Sequence, residues 1–229
     1  MSIRALAIET SGRIGSVALA EDGKTLAEET FPHGLQHAAR IIPAIDDLCR
    51  RLRWTSADFR EIYVSAGPGS FTGLRIGITL AKTLAFVTHA DLVAVPSVRV
   101  LVENAPSDAE NAIIVLDAKR DQIFTASFQR AAEGWSELQP AQLSTLTEIL
   151  AKTPRPVHLI GEGIPYHRKF IAEGDPEIYL TDESLWRPQA RIVTTLGWRM
   201  ARDGNFTDAM DLRPIYIRRP EAEEKLDGP

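Results

Sequence analysis

The sequence predicts an α/β fold of two duplicated domains, each a mixed sheet with an antiparallel three-strand meander and flanking helices. The order strand, strand, strand, helix, strand, helix, strand runs twice, once within residues 1–105 and once within 106–229. The first strand of each half ends in an acid, Glu9 and Asp117, and Pro106-Ser107-Asp108 marks a linker between the halves. With 44% hydrophobic and 25% charged residues over 229 positions, the chain has the composition of an ordinary soluble globular protein.

In the first half, Ile3 to Glu9 is an apolar strand that runs into the polar loop Thr10-Ser11-Gly12-Arg13. Ile14 to Ala20 is a second strand, and Asp22-Gly23 is a strong hairpin signal leading to a third, Thr25 to Phe31. Such a meander argues against a dinucleotide-binding start, where a glycine loop and a helix follow the first strand. Leu35 to Arg53 is helical. Its apolar residues Leu35, Ala38, Ile42, Ile45, Cys49 and Leu52 are spaced three, four, three, four, three, a heptad seam that Ile41 and Leu48 widen on one side. The seam reads either as a helix well buried in its own domain or as one with apolar surface left for a second contact.

Ile62 to Ala66 is a buried strand, followed by Gly67-Pro68-Gly69-Ser70-Phe71-Thr72-Gly73-Leu74-Arg75-Ile76-Gly77 and a helix to Val87. Glycines at a strand-to-helix junction suit a phosphate or a close backbone approach. Gly69, Gly73, Gly77, Ala81 and Ala85 recur every four residues and form a ridge of small side chains, which favours close approach by another helix or strand. The weight falls on a docking ridge, with a minor claim on phosphate left to Gly67-Pro68-Gly69. Leu92 to Val95 is a strand and Val98 to Glu103 a short helix.

In the second half, Ala112 to Asp117, Gln122 to Phe128 and Trp135 to Gln139 repeat the meander. Thr145 to Ala151 is helical, Val157 to Ile160 a strand, and Gly161-Glu162-Gly163 a turn into a helix over Pro165 to Ala172. Ile192 to Arg202 is a further helix, Leu212 to Arg218 is extended, and the charged tail from Pro220 to Pro229 is expected to be mobile.

Bulk properties narrow the function classes. A net charge of −5 supplies no broad cationic field for a nucleic-acid backbone, so an RNA role would run through a partner. The single Cys49 excludes an intramolecular disulfide and a cysteine-only metal cluster and fits a reducing cytoplasm. The N-terminus shows no signal-peptide pattern, and no apolar run approaches the roughly 20 residues of a membrane span. Ser70 sits in Pro-Gly-Ser-Phe-Thr rather than Gly-x-Ser-x-Gly, so the nucleophile elbow of a serine hydrolase is missing. The Walker pattern is missing too. His33 and His37 have metal-pair spacing, but Pro32 and Gly34 interrupt a regular helix and no third ligand is near. His89, His158 and His167 are scattered.

Five stretches carry a family resemblance: Ala7-Ile8-Glu9-Thr10-Ser11, Gln36 through Pro43, Gly67 through Gly77, Asp117-Ala118-Lys119-Arg120 and Pro214-Ile215-Tyr216-Ile217-Arg218. Together they resemble the bacterial TsaB (YeaZ) family, within the actin, sugar-kinase and heat-shock ATPase superfold, whose domains are ribonuclease H-like. Glu9 stands where that family more often has Asp. The resemblance implies a cytoplasmic, non-catalytic subunit for threonylcarbamoyladenosine modification of tRNA, paired with the catalytic TsaD and joined by the ATPase TsaE. It implies pairing through the first helix and the helix after the glycine loop, here Leu35, Ala38, Ile42, Ile45, Cys49, Gly69, Gly73, Leu74, Gly77 and Ala81. A homodimer is expected when the chain is alone, because a surface facing a homologous helix pair tends to accept itself.

The catalytic relative carries a His-x-x-x-His metal pair where this chain has Pro96-Ser97-Val98-Arg99-Val100-Leu101-Val102, so no catalytic or metal residue is assigned. Thr10, Ser11, Gly67, Gly69 and Asp117 stand where the superfold contacts nucleotide. The preferred reading is that the acids are vestiges, that no cofactor is held tightly, and that ATP or ADP enters only at a subunit interface. The alternatives are a stand-alone ATP-using enzyme and, more distantly, a glycoprotease-like peptidase.

Overall fold

The computed structural model describes residues 2–31, 36–171 and 175–217. The first sheet holds β1 (Arg4–Glu9), β2 (Gly15–Glu21), β3 (Lys24–Phe31), β4 (Glu61–Gly67) and β5 (Asp91–Pro96) in the order β3-β2-β1-β4-β5. The second holds β6 (Asn111–Asp117), β7 (Ile123–Ala131), β8 (Gly134–Ser144), β9 (Val157–Ile160) and β10 (Ile178–Leu180) in the order β8-β7-β6-β9-β10. In each sheet the first three strands pair antiparallel and the last two add in parallel, so the two sheets share one strand order. Asp22 and Gly23 both take positive φ (50° and 78°), the geometry of a two-residue hairpin turn matched to strand twist.

Helices cover both faces of both sheets, and the two-residue period of the strands decides what each face offers. On β1, Leu6 and Ile8 point to α1 (Gln36–Leu52) and α2 (Phe71–Thr88), while Ala5 and Ala7 point to α6 (Ala190–Arg202). The small side chains let α6 lie close: a Cβ on Gly197 would stand 2.4 Å from the Tyr63 ring. On β6, Ala112, Ile114 and Leu116 meet α3 (Ser97–Val102). Ile113 and Val115 meet α4 (Leu146–Lys152) and α5 (Ile164–His167).

Several expectations need correction. The layers do not part at residue 105. Val98, Leu101 and Val102 of α3 belong to the core of the second sheet. Conversely, α6 and the chain beyond it complete the first: the Ala190 N–H donates to Ser16 Oγ (2.8 Å), the Thr207 N–H to Leu92 O (2.8 Å) and the Ile215 N–H to Ala66 O (2.7 Å). The helix expected over Pro165 to Ala172 is a four-residue α5 followed by a 3₁₀ turn, Arg168–Phe170. By length and composition α2 is apolar enough to cross a membrane, contrary to expectation, but its buried face packs on β1, β4 and β5 as a core helix would. Leu35, His33, Arg218 and the tail from Pro220 lie outside the described residues.

Candidate functional site

The turn after β1 is built around a carboxylate with no access to solvent. Glu9 is fully buried; one of its oxygens accepts from the Ser11 N–H and the Ser11 hydroxyl, each at 2.6 Å, and the other from the Ser65 hydroxyl on β4. Gly69, Gly73 and Gly77 face this turn. A Cβ on Gly73 would lie 2.0 Å from Thr10 O, one on Gly69 2.5 Å from Ser11 O, and one on Gly77 2.3 Å from Thr10 Oγ1. The small-residue ridge therefore has an occupant within its own chain. Gly69, Gly73 and Gly77, expected at a partner interface, instead seat α2 against the Ile8–Ser11 segment; Ala81, expected there too, lies in the first core, and Leu74 is buried.

The phosphate reading of the loop meets the same obstacle. Gly67 adopts φ +111°, and its N–H donates to Ser97 Oγ (3.1 Å). The Ser70 N–H donates to Ser11 O (2.7 Å), and the Ser70 hydroxyl caps α2 by accepting from the Gly73 N–H (3.2 Å). Thr10, Ser11, Gly67 and Gly69 thus come together as expected, but these hydrogen bonds run within the fold rather than forming an open cradle. Asp117 ends β6 on the second sheet, accepting from the Lys119 N–H (3.2 Å) and Lys119 Nζ (2.8 Å), with His167 Nε2 at 3.2 Å. Burial opposes its ionisation, yet the Lys119 and His167 hydrogen bonds hold its carboxyl below the usual range.

Burial raises the Glu9 carboxyl above its ordinary value, against the opposing hydrogen bonds of Ser11 and Ser65. The folded protein therefore binds this proton more tightly than the unfolded chain does. The group's contribution to stability is present below the unfolded value and is lost as pH rises through the raised folded value. Glu9→Gln keeps an acceptor for Ser11, gives Ser65 an amide donor and removes the charge. Urea unfolding from about pH 4 to about pH 8 should show the variant matching the parent at the acid end and exceeding it at the alkaline end. A parent whose stability does not fall relative to the variant across that span would contradict this account.

The predicted heptad seam divides. Ile45 and Cys49 are buried in the first core beside Ile41, Ala44 and Leu48, so they are not available to a partner. Ala38 and Ile42 point outward, Ile42 being 60% exposed. Beside it, α2 exposes Phe71, Thr72, Arg75, Thr79 and Thr83, and ends in Phe86 and Val87, 80% and 68% exposed. Sequence reasoning missed Phe86 and Val87, although their place away from the Gly-Ala ridge already marked that face.

Residues 33–223 match the family model described as TsaD, tRNA N6-adenosine threonylcarbamoyltransferase. The tRNA threonylcarbamoyladenosine biosynthesis protein TsaB of Bacillus subtilis is 30% identical over 224 residues, covering 96% of each chain. The chain belongs to the TsaB (YeaZ) family. The TsaB of Escherichia coli is 28% identical over 233 residues, covering 99% of each chain. Two solved structures share the fold. One is a Pseudomonas aeruginosa protein described as similar to the peptidase YeaZ (TM-score 0.81, 24% identity, 94% of this chain and 100% of that one). The other is the YeaZ of Pseudomonas aeruginosa (TM-score 0.77, 23% identity, 93% and 99%). Both TsaB relatives align over nearly their whole length, and the family model spans α1 and α2 but begins after the Glu9 turn.

Proposed function

We propose that this chain is a non-catalytic subunit for threonylcarbamoyladenosine modification of tRNA, working in the cytoplasm. It pairs with a TsaD-like catalytic subunit through the outward faces of α1 and α2, and a TsaE-like ATPase joins the pair. The observation that carries the non-catalytic reading is α3. Where the catalytic relative carries its histidine pair, Ser97–Val102 holds none, and Val98, Leu101 and Val102 are built into the second core. Among the described residues no three His, Cys, Asp or Glu side chains converge as metal ligands. The Glu9 carboxylate, whose hydrogen bonds stay within the fold, gives a metal–phosphate group no open coordination position.

The shared strand order of the two sheets supports descent from one duplicated actin-like ATPase domain. The acidic net charge supports an indirect relation to tRNA, with any ATP or ADP held at the subunit interface rather than in this chain. Reconstitution tests the proposal. TsaD-like and TsaE-like subunits with ATP, tRNA and an activated threonylcarbamoyl donor should form little modified nucleoside until this chain is added, and this chain with the same donor, ATP and tRNA should form none. Turnover of Mg·ATP by this chain alone, or full transfer in its absence, would sink it.

A further inference from the structure

A cavity of about 320 Å³ opens between the two halves of the protein, a size within the range of small-molecule sites. One wall is Arg13, from the turn between β1 and β2; the other comes from the α5 turn and the 3₁₀ turn Glu183–Trp186. The charges lining it divide into two sets. Arg13 is engaged: it donates to the Tyr166 hydroxyl (2.7 Å) and pairs with Glu162 (3.4 Å). Glu183 and Arg187 line the same cavity, and neither side chain has a hydrogen-bond or ion-pair partner among the described residues. One cation and one anion are therefore left to serve a ligand.

Flat apolar surface completes the wall. The Tyr166 ring is half exposed, with Arg13 and Lys119 lying over it at 5.9 and 5.6 Å from its centroid, and Trp186 has spent its only donor on Thr181 Oγ1 (2.9 Å), so its indole presents only its ring to a guest. We propose that this cleft binds a free α-amino acid with an apolar or aromatic side chain. Its carboxylate meets Arg187, its ammonium meets Glu183, and its side chain lies against Tyr166 and Trp186. The charge count argues against a nucleoside polyphosphate, which would face two carboxylates, Glu162 and Glu183, with a single guanidinium free to receive it. A zwitterion matches both unpaired groups at once, and a guest there touches both halves of the protein. This site is independent of the pairing surface, so either assignment stands or falls without the other.

Calorimetry on the full chain tests it, with L-phenylalanine as probe and phenylalaninamide, N-acetylphenylalanine and ADP as comparisons. Glu183 and Arg187 are both exposed, so Glu183→Gln and Arg187→Ala leave the fold intact. The expected result is saturable binding of L-phenylalanine that either substitution weakens about tenfold or more, the loss of one charge-assisted hydrogen bond. Phenylalaninamide, lacking the carboxylate, should bind Arg187→Ala and the parent alike, and N-acetylphenylalanine should do the same for Glu183→Gln. No saturable heat with L-phenylalanine, tighter binding of ADP, or unchanged affinity in both variants would each overturn the proposal.

Discussion

Gly73→Ala is expected to destabilise the isolated protein by about 3 kcal/mol, a large share of the roughly 5–15 kcal/mol that holds a domain folded. The added Cβ would stand 2.0 Å from the Thr10 carbonyl oxygen. That oxygen is main chain at the end of β1, which carries Ala5 to Glu9 into the buried centre of the sheet, and it has nowhere to retreat. Helix propensity works the other way, favouring alanine over glycine by about 1 kcal/mol, so the sign of the effect is diagnostic. Gly77→Ala makes a milder comparison, because its nearest obstacle at 2.3 Å is the Thr10 hydroxyl, a side-chain atom that makes no hydrogen bond within the described residues, rather than main chain. Urea unfolding of both variants checks the ranking. A Gly73→Ala protein that unfolds like its parent but no longer pairs would restore the ridge to the partner surface.

The ridge shows where the sequence was legible and where it was not. Small residues every four positions announce that something comes close to α2, and Thr10 and Ser11 do. The spacing carries no information about which segment arrives, since a glycine lowers the cost of approach equally for a partner helix and for a loop of the same chain. The same holds for α1, whose apolar residues were plain while its rotation was set by β1 to β3 beneath it. The alternation of strands and helices, the tight turns and the strands ending in Glu9 and Asp117 were readable because turns and two-residue alternation are local signals. The return of α6 to the first sheet, the three-residue β10 and the Arg13–Tyr166 contact were not. Each depends on residues far apart in the chain, and β10 is too short to show a period.

Ile42→Asp is expected to abolish pairing with a TsaD-like subunit while changing the stability of the isolated chain by no more than about 0.5 kcal/mol. The side chain is 60% exposed on the outer face of α1, so an aspartate there meets water in the free protein. In a pair it would be held unpartnered in the apolar centre of the interface. Losing one such anchor costs about 2 kcal/mol or more, roughly thirtyfold in Kd, before the penalty of burying the charge is added. Ile45→Asp, one turn along the same predicted seam, should behave in the opposite way. Its side chain belongs to the first core with Ile41 and Leu48, and a carboxylate there should unfold the chain whether or not a partner is present. Sedimentation of each variant with and without the TsaD-like subunit, alongside thermal unfolding, separates the two faces. The same run reads the self-association expected of the lone chain, which Ile42→Asp should also reduce to monomer if one surface serves both contacts. Intact pairing by a folded Ile42→Asp protein would move the interface off these two helices.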